Sequence, residues 1–503
     1  MANPAKMWSS VFAAAAVALV VSGCSTAPDE SESARQAAAF PEIYAQTIEW
    51  SACGDDFGLG DARAERLAAR GAPVDTYRCA TVAAPLDWND TGNRETIELA
   101  AVHIPSTGDG EPIGTLLSNP GGPGESGLAL ATALPTVERF GSILDRYDLL
   151  GFDPRGIGRS TPVDCDEVSD IRELNLAMCA VDQPIALSMG TSQVARDMDL
   201  LRSLMGDDSM HYLGYSYGTM LGATYSTLFP ERVGRMLLDS ASASDWASPV
   251  GDFNQSAAIA RETSALLEGC GSLYQATACP IGGQSALVEA VARFDDQPMI
   301  ASDGTEVTGQ TLYAYLTTAL YQRAAGRELV LESVGAAISG DQEQVDTIAE
   351  EMTGGGAAVR FDGNIVRCHS FPNDPGLPQL VEHIEQVGLP EVMGGPEIND
   401  DTLRDFVDLS CAALPNSGDD ITDSFSGSPD APILVIGITG DHATPYEGAQ
   451  ELVRQLGNAR LLTLEGVGHT VSFSNRSSCA DDIATAYLLD GELPPENTVC
   501  TDD

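Results

Sequence analysis

The sequence predicts an α/β fold: a mostly parallel sheet with helices on both faces, and a helical cap inserted between two core strands. Three observations predict it. Short apolar runs alternate with helix-like stretches in both end portions of the chain, the pattern of strands buried on two sides. A Gly-x-Ser-x-Gly pentapeptide, Gly214 to Gly218, stands between one such run and a helix-like stretch, Thr219 to Phe229. From about Ser240 to Ser428 clear strands become scarce and helix-like runs dominate, until Ile433-Leu434-Val435-Ile436 resumes the core.

Residues 1–23 read as an export signal. Lys6, the sole lysine of the chain, supplies the positive start, and Val11 to Val21 forms an apolar run too short for a comfortable membrane span. Val21-Ser22-Gly23-Cys24 then resembles a lipobox, which makes Cys24 the expected lipidation site. The competing reading is an ordinary secretory cleavage beside an incidental cysteine. Small, polar and acidic residues follow, so 24–45 is expected to be a flexible tether. This reading puts the protein outside the cytoplasm, lipid-anchored on the outer face of the cytoplasmic membrane or secreted.

Charge narrows the partners. Asp and Glu total 74 against 26 Lys and Arg, a net charge of −48, which repels nucleic acid and anionic membrane surfaces. Any membrane contact is therefore expected only through Cys24. Eleven cysteines leave ten once Cys24 is set aside, an even set that suggests disulfides in an exported protein. Neighbours in sequence pair most simply: Cys53 with Cys79, Cys165 with Cys179, Cys270 with Cys279, Cys368 with Cys411 and Cys479 with Cys500. Spacing alone does not determine connectivity. No Cys/His spacing suits a zinc site, so neither metal nor cofactor is expected.

The first core portion spans 46–239. Ile97 to Ile104 and Gly114 to Ser118 read as strands, the second running into Asn119-Pro120-Gly121-Gly122-Pro123-Gly124. That glycine-rich loop lacks the Lys-Ser/Thr ending of a phosphate loop. Tyr147 to Phe152 is the next strand, followed by Asp153-Pro154-Arg155, read as a loop-bracing ion pair. Thr191 to Met205 has helical periodicity and leads to the elbow strand; Arg235 to Asp239 is the strand after the elbow helix. In the cap, 240–428, helices are expected over Ser256 to Leu267, Thr311 to Arg323 and Glu328 to Ile338, with Gly354-Gly355-Gly356 interrupting regular structure. The second core portion, 429–503, carries Gly440-Asp441-His442, a helix from Tyr446 to Leu456, a strand from Leu461 to Leu464, and Gly466-Val467-Gly468-His469-Thr470.

A serine hydroxyl needs a base to take its proton, and the base needs an acid to fix its tautomer. Ser216, Asp441 and His469 occur in the order used by α/β-hydrolases, each just beyond a predicted strand. The fold is therefore expected to be an α/β-hydrolase. The N–H of Tyr217 and one from Gly121 or Gly122, with Gly122 favoured, would form the oxyanion hole. His442 is the rival base, although it would have to point away from the acid beside it. Asp239, at the end of the strand after the elbow, is the rival acid. His103, His211, His369 and His383 read as surface or satisfied core residues.

The motifs Ser118 to Gly124, Gly151 to Ser160, Leu213 to Thr219, Thr439 to Glu447 and Gly466 to Thr470 together resemble the tripeptidyl aminopeptidase branch of the proline-iminopeptidase-type α/β-hydrolases. These are exported actinobacterial serine exopeptidases, and the resemblance runs from about Tyr77 to Cys500. It implies Ser216 as nucleophile, Asp441 as acid and His469 as base, acting on peptides or proteins with a free N-terminus. Glu125 departs from the small residue common after Gly-Gly-Pro-Gly, and Cys368-His369-Ser370 departs from the Cys-x-Asp of relatives. An acidic run, Asp341, Glu343, Asp346, Glu350 and Glu351, is expected to favour a cationic substrate end. The alternatives are a carboxylesterase or lipase using the same triad, and a non-catalytic binding lipoprotein on the same scaffold.

Overall fold

The computed structural model describes residues 31–503 apart from 166–168, 170, 247, 274–278, 354–361, 371–376, 394, 396–397, 399–410, 412–413 and 415–423. The expected signal segment, Cys24 and the 354–356 glycine run lie outside the described residues.

Ten strands form one sheet: β1 (Ser51–Ala52), β2 (Arg78–Pro85), β3 (Thr96–Ile104), β4 (Thr115–Asn119), β5 (Asp148–Phe152), β6 (Met210–Tyr215), β7 (Val233–Asp239), β10 (Ile433–Gly440), β11 (Ala459–Val467) and β12 (Thr498–Thr501). Their spatial order is β1-β2-β3-β5-β4-β6-β7-β10-β11-β12. The pairs from β1 to β5 are antiparallel, and every pair from β5 to β12 is parallel.

Alternate residues of one strand go to opposite faces of the sheet. Leu117, Tyr212, Met236, Leu238 and Val435 join one buried cluster, with Val194, Met198, Leu201 and Leu452 from covering helices. Leu116, Leu213, Leu237, Leu434 and Ile436 join the other, with Leu128, Ala131, Ala484 and Leu488. Both faces are thus closed to water, which is why β4 is buried at all five positions although Thr115, Ser118 and Asn119 are polar. Each such Leu or Ile contributes about 1.5–3 kcal/mol of transfer free energy.

Between β7 and β10 the described residues are mainly helical: Pro249–Leu273, Gln284–Asp296, Gly309–Thr317, Ala324–Ile338, Gln342–Thr353, Asp362–Ser370 and Leu377–Val387, with one two-stranded hairpin, β8 (Met299–Ile300) and β9 (Glu306–Val307). This segment has a core of its own, including Leu287, Leu312, Leu316, Leu331, Val334 and Ile348. The stretch expected as a helix over Thr311 to Arg323 ends at Thr317 and tightens into a 3-10 turn, Thr318–Tyr321.

Residues 32–45, expected within a flexible tether, are ordered instead. Ser31 caps a helix over Glu32–Ala39 by accepting the N–H of Ala34. Glu32 pairs with Arg196 at 3.1 Å. Phe40 is buried with its ring 5.2 Å from that of Trp88. The alanines that look like linker also carry high helix propensity, and Phe40 gives the helix something to dock.

All ten cysteines of the described chain pair, each with its sequence neighbour: Cys53–Cys79, Cys165–Cys179, Cys270–Cys279, Cys368–Cys411 and Cys479–Cys500. Such a set belongs to an oxidising, extracytoplasmic compartment.

Candidate active site

β6 ends at Tyr215, and the helix Tyr217–Leu228 begins two residues later. Ser216 alone makes the turn, at φ 56° and ψ −126°, a conformation that costs a non-glycine residue about 1–3 kcal/mol. The flanking glycines are sterically required. A Cβ on Gly214 would stand 2.5 Å from the Gly218 carbonyl oxygen, and one on Gly218 would stand 2.9 Å from that of Asn119. The Ser216 N–H donates to the Asp239 carbonyl at 3.0 Å, and the Ser216 carbonyl accepts from Thr219 N at 2.8 Å and Thr219 Oγ1 at 2.6 Å.

The loop after β4 lies directly against this turn. A Cβ on Gly121 would sit 2.5 Å from the Tyr215 carbonyl oxygen and 2.9 Å from both Ser216 Cβ and Tyr217 N. Gly121 is buried and donates its N–H to Asn119 Oδ1 at 2.9 Å, while Gly122 is exposed. Of the two glycines considered for the oxyanion hole, Gly122 is therefore the one that faces outward. Tyr217 opens its helix, at the positive end of the helix dipole. Asn119 is a member of this site that the sequence reading passed over.

Asp441 and His469 come together at the same edge of the sheet, just past β10 and β11. His469 Nδ1 lies 3.0 Å from each carboxylate oxygen of Asp441. Asp441 is fully buried and also accepts the N–H groups of Ala443 and Thr444 at 2.9 Å and the Thr444 hydroxyl at 3.0 Å. Burial pushes the Asp441 carboxyl up, but His469 and these donors outweigh it, so its pKa is lowered. Burial likewise pushes His469 down, but the charge and hydrogen bond of Asp441 outweigh it, so its pKa is raised. Each partner thus favours the charged form of the other. Thr444 was not foreseen; its signal was an Asp followed by small residues, the pattern in which a carboxylate caps the next N–H groups.

The rivals fall elsewhere. His442 is buried with its ring 4.3 Å from that of Tyr321 and 6.1 Å from that of His469, and neither of its nitrogens has a hydrogen-bond partner. Burial holds its pKa down at about 4, so it stays neutral. Asp239 directs its carboxylate to Val471 N, Ser472 N and Ser472 Oγ rather than to an imidazole. His103 meets Asp148 at 3.0 Å, His211 Nδ1 accepts Arg235 N at 3.0 Å, and His383 meets Asn254 at 2.6 Å.

One expectation needs correction. Asp153 and Arg155 are both buried but do not pair with each other. Arg155 forks onto Asp197 at 2.7 and 2.8 Å, whereas Asp153 accepts from Ser126 Oγ, Leu128 N and Arg159 N. Two turn residues apart cannot face one another as well as each faces a neighbouring element. Of the acidic run, Asp341 precedes the helix Gln342–Thr353 and accepts the Glu343 N–H at 3.0 Å, while the others lie on that helix, which packs on other cap helices; Asp346 accepts from Ser302 at 2.7 Å. Glu262 is a carboxylate near the catalytic edge, its Oε2 3.1 Å from where a Cβ on Gly440 would stand. It lines an otherwise mainly apolar cavity of about 310 Å³ with Ala265, Leu266, Leu320, Arg327 and Val467. Two larger cavities, about 600 and 700 Å³, lie away from this edge, beside His211 and Arg235 and beside Cys165–Cys179.

The chain is similar to known proteins. A family model described as TAP-like protein matches residues 396–500, and one described as alpha/beta hydrolase fold matches residues 114–261. The chain is 31% identical to carboxylesterase B of Mycobacterium tuberculosis over 85% of its own length and 87% of the relative's. It is 28% identical to the serine protease Hip1 of the same organism, covering 97% of this chain and 96% of that one. It is 26% identical to the tripeptidyl aminopeptidase of Streptomyces lividans, covering 90% and 86%. With a complete α/β-hydrolase sheet and relatives matched over nearly their full length, the chain belongs to the TAP-like family of α/β-hydrolases and is a serine hydrolase.

Proposed function

We propose that this protein is an exported serine exopeptidase that releases short peptides, foremost tripeptides, from the free N-terminus of peptides or proteins. The observation that carries the reading is the 3.0 Å contact between His469 Nδ1 and buried Asp441, at the sheet edge that also bears the Ser216 elbow. In this mechanism Ser216 Oγ attacks the scissile carbonyl while His469 Nε2 takes its proton, and Asp441 holds the Nδ1–H tautomer and the imidazolium that forms. The tetrahedral oxyanion accepts from the N–H groups of Tyr217 and Gly122, each such donor supplying about 3 kcal/mol to the transition state. Collapse breaks the C–N bond, and His469 returns the proton to the leaving amine. Water then attacks the acyl-enzyme by the same proton relay, freeing the peptide acid and Ser216.

The exopeptidase half of the reading draws on the relative named tripeptidyl aminopeptidase and on the Glu262 carboxylate in the cavity beside the catalytic edge. Glu262 pairs with Arg261 at 2.9 Å and shares the recess with Arg327, so a substrate ammonium would bind by joining or replacing those cations at the carboxylate. The second reading, an esterase, draws on the relative named carboxylesterase B. We also propose that Cys24 is the lipid attachment site, as the small residues before it suggest. Comparing a tripeptidyl p-nitroanilide, its N-acetyl form and a short-chain p-nitrophenyl ester separates the first two readings. The exopeptidase turns over the free-amine anilide and rejects the acetylated one by at least tenfold. An esterase turns over the ester and ignores the amine.

A further inference from the structure

We infer that Asp239 is a positioning residue that sets the His469 loop against the Ser216 elbow, its carbonyl holding the one and its carboxylate the other. This deepens the triad reading and rests on it. The geometry is consecutive on both sides. Three successive N–H groups after His469 are gripped by two successive side chains: Thr470 N donates to Ser240 Oγ at 2.8 Å, Val471 N to both Asp239 oxygens at 3.2 Å, and Ser472 N to Asp239 Oδ2 at 2.6 Å. The Ser472 hydroxyl adds a fourth donor at 2.5 Å. In return, the Asp239 carbonyl accepts the Ser216 N–H at 3.0 Å, and Tyr215, one residue before the nucleophile, donates its hydroxyl to the Ser472 carbonyl at 2.8 Å.

The loop needs such a grip. Thr470 and Phe473 stand at φ 63° and 55°, and Gly468 at φ 135°. Left-handed backbone at a β-branched and an aromatic residue persists only where surrounding contacts over-determine it. A buried carboxylate, an acceptor with room for several donors, is suited to that task. Asp239 and Ser216 sit at the ends of adjacent parallel strands in paired register, Tyr215 opposite Asp239. A small shift at the loop therefore becomes a shift of base relative to nucleophile, and reaction rates are sensitive to displacements of that size.

Diisopropyl fluorophosphate reads this without reference to peptide specificity, because it phosphorylates an activated serine and releases fluoride. Its second-order rate constant is measured against pH on the full-length protein and on Asp239→Asn, Ser472→Ala and Ser216→Ala, alongside thermal melts and the site of labelling. Asp239→Asn is expected to slow labelling of the folded protein at least about tenfold, in keeping with the cost of misplacing a reacting group, beyond any loss of folded protein that a lowered melting temperature brings. The limb belonging to His469 is expected to move to lower pH. Asp441, Asp239 and Arg476 act on that imidazole, the neutral His442 and Tyr321, whose ring lies 6.0 Å away, also face it, and the substitution removes one of its two anions. Ser472→Ala, which keeps the carboxylate and both backbone donors, is expected to slow labelling less and leave the limb in place; it carries the test if Asp239→Asn does not fold. Asp239→Asn labelled at the unaltered rate with an unmoved limb, or slowed only in proportion to lost folded protein, overturns the inference. So does wild-type labelling away from Ser216, which also overturns the triad reading and is told apart by the labelled residue.

Discussion

His469 Nδ1 is equidistant, at 3.0 Å, from the two carboxylate oxygens of Asp441. The contact raises the imidazole pKa from its ordinary 6.5, net of the burial that opposes it, and lowers that of the carboxyl. A general base works only when neutral, so kcat/KM is expected to rise with pH through an apparent pKa above 6.5. The pair's contribution to stability runs the opposite way for His469. It is fully present below the unfolded imidazole value and is lost as pH rises through the folded one. The contribution of Asp441 is lost as pH falls below 3.8 through its lowered folded value. Asp441→Asn is expected to cut kcat about 10⁴-fold and to shift the rate limb downward, as pH–rate profiles of the two proteins will show.

Gly121 has no room for a side chain. Its φ of 99° and the 2.5 Å approach to the Tyr215 carbonyl that a Cβ would make mean that Gly121→Ala must push the loop off the elbow. In the proposed mechanism that displaces the Gly122 N–H from the developing oxyanion. The expected result is a loss of about 10²-fold or more in kcat in a protein that still folds, checked by steady-state kinetics alongside circular dichroism.

Arg155 has no part in the chemistry, yet it is wholly buried and bonds Asp197, Leu86 O, Ser188 O, Pro85 O and Gln193. Removing it strands the Asp197 charge in the core. Arg155→Ala is expected to cost about 3–5 kcal/mol of stability, measured by chemical denaturation, while the folded fraction keeps wild-type kcat.

Cys368 and Cys411 close a stretch of 43 residues and fasten the helix Asp362–Ser370. Ser370 Oγ on that helix accepts Thr191 N at 2.8 Å, and Thr191 Oγ1 meets the Tyr217 hydroxyl at 2.5 Å. Replacing both cysteines by serine is expected to lower stability by about 2–4 kcal/mol, read as a drop in melting temperature.

The legible parts of this chain were those where local chemistry and global fold ask for the same residues. Ser216 needs a glycine on either side for steric reasons, and β10 reads as an apolar run from Ile433 to Ile438 because both faces are covered. The helices Thr191–Met205 and Tyr446–Leu456 kept their expected bounds because a glycine follows each. What escaped reading depends on distant partners. β2 is rich in alanine, and β12 has four residues; neither announces itself without the neighbour it pairs with. The Glu32–Ala39 helix resembles linker until Phe40 is seen against Trp88. Arg155 belongs with Asp197, 42 positions away, and not with nearby Asp153. Asp239 bonds residues more than 230 positions later, a relation that spacing along the chain cannot express.

The central claim is that Ser216 is acylated by a peptide bearing a free N-terminus. Mixing the enzyme with a tripeptidyl p-nitrophenyl ester, quenching in acid within milliseconds and mapping the modified peptide by mass spectrometry observes that intermediate directly. The account predicts a tripeptidyl increment on the peptide containing Ser216, absent in His469→Ala and at least tenfold weaker with the N-acetylated ester. An adduct on another residue, or equal acylation by the blocked and free esters, would contradict it.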